Sequence, residues 1–489
     1  MKEDQKTSDD IFFLLTYMTA ISTADIQRDK IFKYASEREE YSIAIYFKKM
    51  HILAVKMGYE YSKACKLISK KISNSNLSDL FGRMATALAS GESEKDFLMN
   101  ERETMGEIYS NQYENDVESL KKWTDGYTAL LVSVSLIVTM LLISTMIYDM
   151  GDVEVMAALV LFIMVFICGM GILILYDSAP SEIKLHSLEQ KSREQHIVAA
   201  LSLILLPLGA LAVGVLVYEN VRIPYIFLTA AAFMAPIGIV GMIDDLKIEQ
   251  RDKSFPAFAK SLGSLSGTMG VTTSTAMKKL DRESVGHLEP LIDRLYTRLT
   301  LDLDPDLCWE KFIGESGSEL INRCTKIYNH AVNLGGDPLE IGKIVSSSSL
   351  AIVLLRMKRK MVSKGFIGLN VVMHAVMTGL LIFIIEMMKK FSEVLTQMYD
   401  SHFSEFQGAS STAGLGMSMF SVGSNIDFLY KFTIGAIIIL TIADSLVVKV
   451  VDGGGNYKIY FYGAVMCLIS ALMILVVPLF VGKIFSFDF

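Results

Sequence analysis

The run VEVMAALVLFIMVFICGMGILILY, residues 153–176, decides the fold. A hydrocarbon core about 30 Å thick takes roughly 20 apolar residues of helix to cross, and this run supplies them without interruption. Comparable runs lie at 127–148, 197–218, 223–243, 366–388, 428–451 and 459–482. The chain therefore reads as an all-α integral membrane protein with about seven transmembrane helices, arranged as two close pairs, one single span and a final pair. Pro207, Pro236 and Pro478 fall inside three of these runs. Neighbouring helices satisfy carbonyls freed by proline in lipid, so kinks rather than breaks are expected there. Residues 11–21 form a run of about half the needed length behind Lys2, Glu3, Asp4 and Lys6. It reads as neither a span nor a signal peptide, whose apolar region follows a purely basic start.

Composition agrees. Hydrophobic residues make up 52 % of the chain and the mean hydropathy is +0.40, above a water-soluble average. The net charge of −7 sums over loops on opposite sides of a bilayer and says little about partners. Cys65, Cys308 and Cys324 fall in polar blocks and Cys168 and Cys467 in spans, with no C-x-x-C spacing, so reduced thiols are expected rather than a disulfide framework or zinc site. No H-E-x-x-H, G-x-G-x-x-G, P-loop or G-x-S-x-G context occurs. No catalytic, cofactor-binding or metal-binding residue is expected, and no cofactor.

Lysine and arginine near the span ends set the orientation. Lys121 and Lys122 precede the first span; Lys184, Lys191 and Arg193 lie between the second and third. Lys247, Arg251 and Lys253 follow the fourth, and a run from Arg356 to Lys364 precedes the fifth. With seven spans all of these share one face. The positive-inside rule then places the N-terminus and both large polar blocks in the cytoplasm and residues 485–489 outside the cell membrane. Lys389, Lys390 and Lys483 dissent, but they sit at span ends where a lysine can snorkel.

The two polar blocks, domain 1 at 1–126 and domain 2 at 244–365, read as helices joined by Gly or Asn turns with no strand alternation. Between and after them lie four spans in two pairs (127–243), the fifth span (366–388), an external segment (389–427) and the last two spans (428–489). The blocks share an order. In the first, a basic helix near 46–57, a helix with Cys65, a turn at 73–76 and a helix at 77–89 close at Gly91. In the second, a helix near 288–301, a helix with Cys308, a turn at 314–317 and a helix at 318–334 close at Gly335 and Gly336. The matching intervals suggest two duplicated cytoplasmic helical bundles; the alternative is that helical bundles commonly end on glycine. Ser254 before Phe255-Pro256, Asp304-Pro305 and Asp337-Pro338 read as capping side chains ahead of an early-turn proline.

Four strings carry a resemblance: SFPAFAKSLG (254–263), WEKFIGESGSELI (309–321), ALASGE (87–92) and VVDGG (450–454). With the duplicated helical blocks, each feeding a span, they resemble the archaeal type II secretion system F domain platforms (GspF/PilC/TadC-like), and within these the archaellum platform family (FlaJ/ArlJ). The strings span nearly the whole chain and are not catalytic signatures. The resemblance implies a non-enzymatic role in the assembly of an archaeal type IV pilus-like machine, the archaellum. It implies as partners a hexameric secretion ATPase (FlaI-like), a KaiC-like ATPase (FlaH-like), pilin-like or archaellin subunits, the lipid bilayer and a second copy in a homodimer. No nucleic acid is implied. The length of 489 residues is compact for the archaellar member, which leaves the platform of another archaeal type IV pilus or type II-like secretion system as an alternative. Two readings from other classes stand beside it. An intramembrane aspartyl prepilin peptidase would use Asp244 and Asp245, but needs a Gly-x-Gly-Asp string that GMIDD (241–245) does not provide, and the pair reads as a water-facing helix end. A secondary transporter would carry its repeat inside the membrane.

Residues 105–133 read as one helix running from a polar block into a span, and 350–366 do the same for the second block, a means of turning domain rotation into span movement. For ATPase contact the candidates are the clusters Lys48 with Lys49, Lys70 with Lys71, and Lys278, Lys279 with Arg282. The external segment, with its amphipathic start at 391–399 and Gly/Ser-rich 408–420, is expected on the filament side. Asp444 is the acidic residue well inside a span and needs a partner there. Counting from the cytoplasmic end of their spans puts His374 at the same depth, with Asn370 one turn away as the alternative donor.

Overall fold

The computed structural model describes residues 2–147, 153–403 and 426–484. Seventeen α-helices and one 3-10 turn account for the described elements, and seven of the helices are long and apolar enough to cross a membrane. The external candidate stretch 408–420 and residues 485–489 lie outside the described residues. The chain divides into two compact units: a polar unit of Met1–Glu118, Pro180–His196 and Ile243–Lys360, and a span unit of Ser119–Ala179, Ile197–Met242 and Met361–Phe489.

In the polar unit the first block forms α1 (Lys2–Ser22), α2 (Arg28–Ser36), α3 (Ala44–Val55), α4 (Tyr61–Ser69), α5 (Ser75–Ser90) and the start of α6 (Glu94–Ile147). The second begins in α9 (Ile223–Met269) and continues through α10 (Thr273–Lys278), α11 (Arg282–Val285), the 3-10 turn Gly286–Leu288, α12 (Glu289–Thr300), α13 (Pro305–Ser316), α14 (Glu319–Asn333) and α15 (Pro338–Phe403). Local chemistry sets the boundaries. Asn74 accepts the Leu77 amide at 3.1 Å to start α5, and Gly91 ends it at φ 76, where a side chain would be strained. Ser318 does the same for α14 behind Gly317 at φ 75, and Asp304 caps α13 ahead of Pro305. Asp337 accepts the Leu339 amide at 3.0 Å ahead of α15. Ser254 departs from its expected capping role: it lies inside α9 and donates to the Gln250 carbonyl, because α9 runs on through Pro256 as one helix.

The short apolar run at 11–21 finds its place here. Residues 10–22 are buried on every side, so α1 is an internal helix of the polar unit. Both blocks contribute to one apolar cluster around it, with Phe13, Phe47 and Phe81 from the first and Phe258, Phe312 and Ile341 from the second. Tyr17 reaches His330 of α14 at 2.9 Å, and Thr16 meets Ser348 of α15 at 3.2 Å.

The span unit holds the apolar part of α6, then α7 (Val153–Ser178), α8 (Arg193–Tyr218), the first part of α9, the later part of α15, α16 (Ile426–Asp452) and α17 (Lys458–Ile484). α16 packs against α7 and α17. The buried stripe of α7, from Val153 through Ala157, Val160, Met164, Cys168 and Gly171 to Leu175, repeats every three or four residues. Pro207 and Pro478 are carried inside α8 and α17, which continue past them. Close approach depends on glycine: a Cβ on Gly238 of α9 would lie 2.3 Å from the Phe461 backbone nitrogen, and one on Gly241 would lie 2.3 Å from the Tyr457 ring. The residues of α6, α9 and α15 are shared between the two units. The sequence shows the first and third as continuous helices, whereas α9 continues as helix past residue 243, where its apolar run ends.

Candidate functional site

The span unit contains a buried polar chain made by three helices. His374 of α15 places Nδ1 2.7 Å from Asp444 Oδ2 of α16 and Nε2 2.9 Å from Ser470 Oγ of α17. Thr441, one turn before Asp444, lies 3.0 Å from the same Ser470 hydroxyl and donates to the Ile437 carbonyl. None of these four side chains is more than 4 % exposed. A carboxylate removed from water in this way needs a donor, and the imidazole N–H supplies it. Asn370 adjoins the carboxylate as well.

A carboxylate, an imidazole and a hydroxyl in this order have the connectivity of a hydrolytic triad, but the surroundings do not support that chemistry. Ser470 sits in the body of α17, where backbone N–H groups are committed to the helix and cannot form an oxyanion hole. With all three groups at most 2 % exposed, no substrate carbonyl reaches the hydroxyl. What the arrangement does is tie α15, α16 and α17 together at one level.

A second tie lies at the turn between α16 and α17. Lys458 Nζ is 2.7 Å from Asp452 Oδ2, the Tyr462 hydroxyl donates to the same oxygen at 2.8 Å, and Ser363 Oγ donates to Oδ1 at 3.2 Å. Lys458 is 1 % exposed, so its charge is neutralised inside the protein. Sequence reasoning missed this pair, because charged residues at a span end ordinarily face the interface. Gly453 and Gly454, at φ 70 and 77, make the turn that returns the chain.

Asp244 and Asp245 correct the expectation of a water-facing helix end: both are 0 % exposed. Ser192 donates to Asp244 at 2.9 Å and Lys184 pairs with Asp245 at 2.7 Å. The two carboxylates are thus held by different donors. The donors come from residues 180–192, which join α7 to α8, a segment whose lysines serve in the sequence only to set the orientation. This segment pairs Leu185 with Ser318, gives the Lys184 carbonyl to the Glu319 amide at 3.0 Å, and sets His186 Nε2 3.2 Å from the Gly314 carbonyl. Gly314 is needed there, since a Cβ would come within 2.9 Å of Gln190.

Nearby, Arg356 of α15 holds Glu182 at 2.9 Å and Asp252 at 2.7 Å, and Arg359 reaches Glu182 at 3.3 Å. Burial pushes the Glu182 carboxyl up, but Arg356, Arg359 and Lys184 outweigh it and hold it below the usual range. For Asp252 burial prevails and the carboxyl is raised despite Arg356. Arg323 is held likewise by Glu319 at 2.9 Å and Asp9 at 2.8 Å, over the Phe13 ring.

The lysine candidates lie in the polar unit. Lys48, Lys49, Lys70, Lys71, Lys278 and Lys279 are exposed, whereas Arg282 is partly buried and paired with Asp293 at 2.9 Å. Among the described residues no group of three or more His, Cys, Asp or Glu side chains is placed to hold a metal ion.

These features define a multi-pass, all-helical membrane protein whose buried polar groups bind its own helices to one another. Compared with known proteins, the chain is 24 % identical over 99 % of its length to flagella accessory protein J of Methanocaldococcus jannaschii, covering 86 % of that protein. It is 22 % identical over 97 % of its length to flagella accessory protein J of Methanococcus voltae, covering 85 % of it. No family model and no solved structure matches. The resemblance read from the four strings thus extends, with this accessory protein, along nearly the entire chain.

Proposed function

We propose that this chain is the membrane platform of an archaeal type IV pilus-like machine, the archaellum, and that it is not itself an enzyme. It anchors a hexameric secretion ATPase on a cytoplasmic polar unit and passes the ATPase cycle to pilin-like subunits leaving the membrane. The observation that carries this reading is the sharing of α6, α9 and α15 between the polar unit and the span unit. A continuous helix transmits displacement along its axis without a hinge to absorb it. The order of helices supports two copies of an F-type bundle: α3, α4, α5 and α6 correspond to α12, α13, α14 and α15, with Cys65 and Cys308 in matching helices.

The test is to remove the gene and count filaments by electron microscopy, then to purify the tagged chain from cells and ask whether the secretion ATPase comes with it. Normal filaments in the deletion strain would sink the platform role. Labelling of a single cysteine placed at Lys279, in intact and in permeabilised cells, decides the side of the membrane.

A further inference from the structure

The serine run SSSS, residues 346–349, lies on the part of α15 that belongs to the polar unit, and its hydroxyls are used in two different ways. Ser346 donates to the Pro256 carbonyl of α9 at 2.7 Å and Ser349 to the Ser346 carbonyl at 3.0 Å, so both are committed to backbone. Ser347 and Ser348 meet Arg102 of α6, whose Nη1 donates to Ser347 Oγ at 3.0 Å and to Ser348 Oγ at 3.3 Å. Ser347 is exposed, while Ser348 is buried and lies 3.2 Å from the Thr16 hydroxyl of α1. All of these residues are in the polar unit.

Arg102 differs from its counterparts. Its side chain is 11 % exposed, and its Nε is buried with no hydrogen-bond partner among the described residues. The carboxylate in its reach is that of Glu103, its chain neighbour, 3.3 Å from Nη2 on a side chain that is 66 % exposed. Two arginines of comparable burial hold carboxylates from other elements: Arg323 has Asp9, and Arg356 has Glu182 and Asp252. Burial pushes the Arg102 guanidinium below its usual range, with Glu103 opposing. Hydroxyls accept its N–H groups but bring no charge to balance it. The nearby acid of α15, Glu340, is already paired with Lys95 at 2.6 Å, and the exposed Lys343 stands one turn before Ser347. A guanidinium fork with an unused N–H matches a tetrahedral oxyanion, which offers several acceptor oxygens together with the missing negative charge.

We propose that Arg102, Ser347 and Ser348 form a site for a phosphate group, supplied either as inorganic phosphate or as a phosphoryl group carried by Ser347 itself. In the first form the anion accepts from the Arg102 fork and from the two hydroxyls. In the second, a kinase transfers the terminal phosphoryl of a nucleoside triphosphate to the exposed Ser347 Oγ. The Oγ–P bond forms as the bond to the departing nucleoside diphosphate breaks, and the hydroxyl proton passes to the kinase's base. Both forms put negative charge and acceptor oxygens beside Arg102. The contact between α6 and α15 then becomes a charge-assisted one, which ties the first block to the second more firmly inside the polar unit.

The experiment has two arms, both on the full chain. In the first, the chain in nanodiscs is melted in inorganic phosphate and in chloride at equal ionic strength, and binding of radiolabelled phosphate is measured by equilibrium dialysis. Phosphate should raise the melting midpoint, as any ligand of the folded state does. Arg102→Gln should abolish both effects, and Ser347→Ala with Ser348→Ala should weaken binding about tenfold. The serine pair keeps Arg102, so the site stays testable if Arg102→Gln fails to fold by circular dichroism. In the second arm, the chain purified from its own cells with phosphatase inhibitors is mapped by mass spectrometry for phosphate on Ser347. Ser347→Glu, which sets a carboxylate beside Arg102, should melt above Ser347→Ala, and the gain should vanish in the Arg102→Gln background. Saturable phosphate that depends on Arg102 assigns the free anion, and phosphate on Ser347 with the Arg102-dependent gain assigns the covalent form. Absence of both, phosphate bound equally by Arg102→Gln, or a glutamate gain that survives without Arg102 overturns the site.

Discussion

Two spans of nearly equal length and hydropathy have opposite surroundings. The helix α8 has 26 residues and a peak hydropathy of 2.5, α16 has 27 and 2.3, yet 6 % of the apolar window is buried in the first and 61 % in the second. Hydropathy identifies a segment that can enter lipid and does not say whether protein or lipid covers it. Polar residues make the distinction. In α16, Thr433, Thr441, Asp444, Ser445 and Asp452 are buried, and groups of that kind require protein around them. In α8 the buried positions within the helix are Val198 and Gly209.

The largest effect that tests this difference is at Asp444. Asp444→Ala removes the Nδ1 partner of the His374 imidazole in a water-free core, and leaving a buried polar group without its partner costs about 1–3 kcal/mol. The expected outcome is a melting temperature several degrees lower in detergent. Asp444→Asn should recover most of the loss, because its amide oxygen still accepts the Nδ1 hydrogen bond at the same position. If alanine and asparagine melt alike, the pair does not hold these helices together.

The glycines give the next effect, and here the sign distinguishes the two regions. Gly238→Ala in α9 places a Cβ 2.3 Å from the Phe461 backbone nitrogen, so backbone has to move, at about 1–3 kcal/mol. Gly214→Ala in α8 meets nothing within 4 Å and removes a poor helix former, a gain of up to about 1 kcal/mol. Melting both variants in the same detergent checks the opposite signs. A destabilised Gly214 variant would mean that α8 is covered.

Much of the architecture was legible because it follows from one-dimensional rules. The seven apolar runs needed only length and hydropathy, and the helix ends at Gly91 and Asp304 needed only turn and cap chemistry. The proximity of His374 to Asp444 followed from residue counts along antiparallel spans, since equal depth is set by a fixed rise per residue. What was not legible depends on which groups a fold brings together over long sequence distances. Asp244 and Asp245 lie where the fourth apolar run ends, a place where exposure is the ordinary outcome, and the folded 180–192 segment supplies a donor to each. Lys458 reads as an interfacial lysine until Asp452, Tyr462 and Ser363 enclose it. The helical continuity of α9 was hidden by Pro256, which normally signals a start.

A smaller effect is expected at Ser470. The hydroxyl lies between His374 and Thr441, so Ser470→Ala removes its contacts with both while the Asp444 pair stays intact. A hydrogen bond of this kind contributes about 1 kcal/mol, a fraction of the loss expected from Asp444→Ala. The double variant Ser470→Ala with Asp444→Ala should then lose less than the sum of the two, because both act through one imidazole. Strict additivity would show that the contacts are independent and that α16 and α17 are held mainly by their apolar surfaces.

The smallest effect should come from the outward residues of α8. Leu203 is 79 % exposed and Leu211 65 %, so truncating either to alanine opens no internal cavity. Lipid chains fill the released space, and the packing loss that makes buried leucines costly does not arise. Leu203→Ala and Leu211→Ala should each change stability by less than about 0.5 kcal/mol, with filament number unchanged. A melting temperature that falls by several degrees in native membranes, but not in detergent, would break the comparison with α16. It would mean that another chain covers α8 in the membrane and that its 6 % burial describes one copy only.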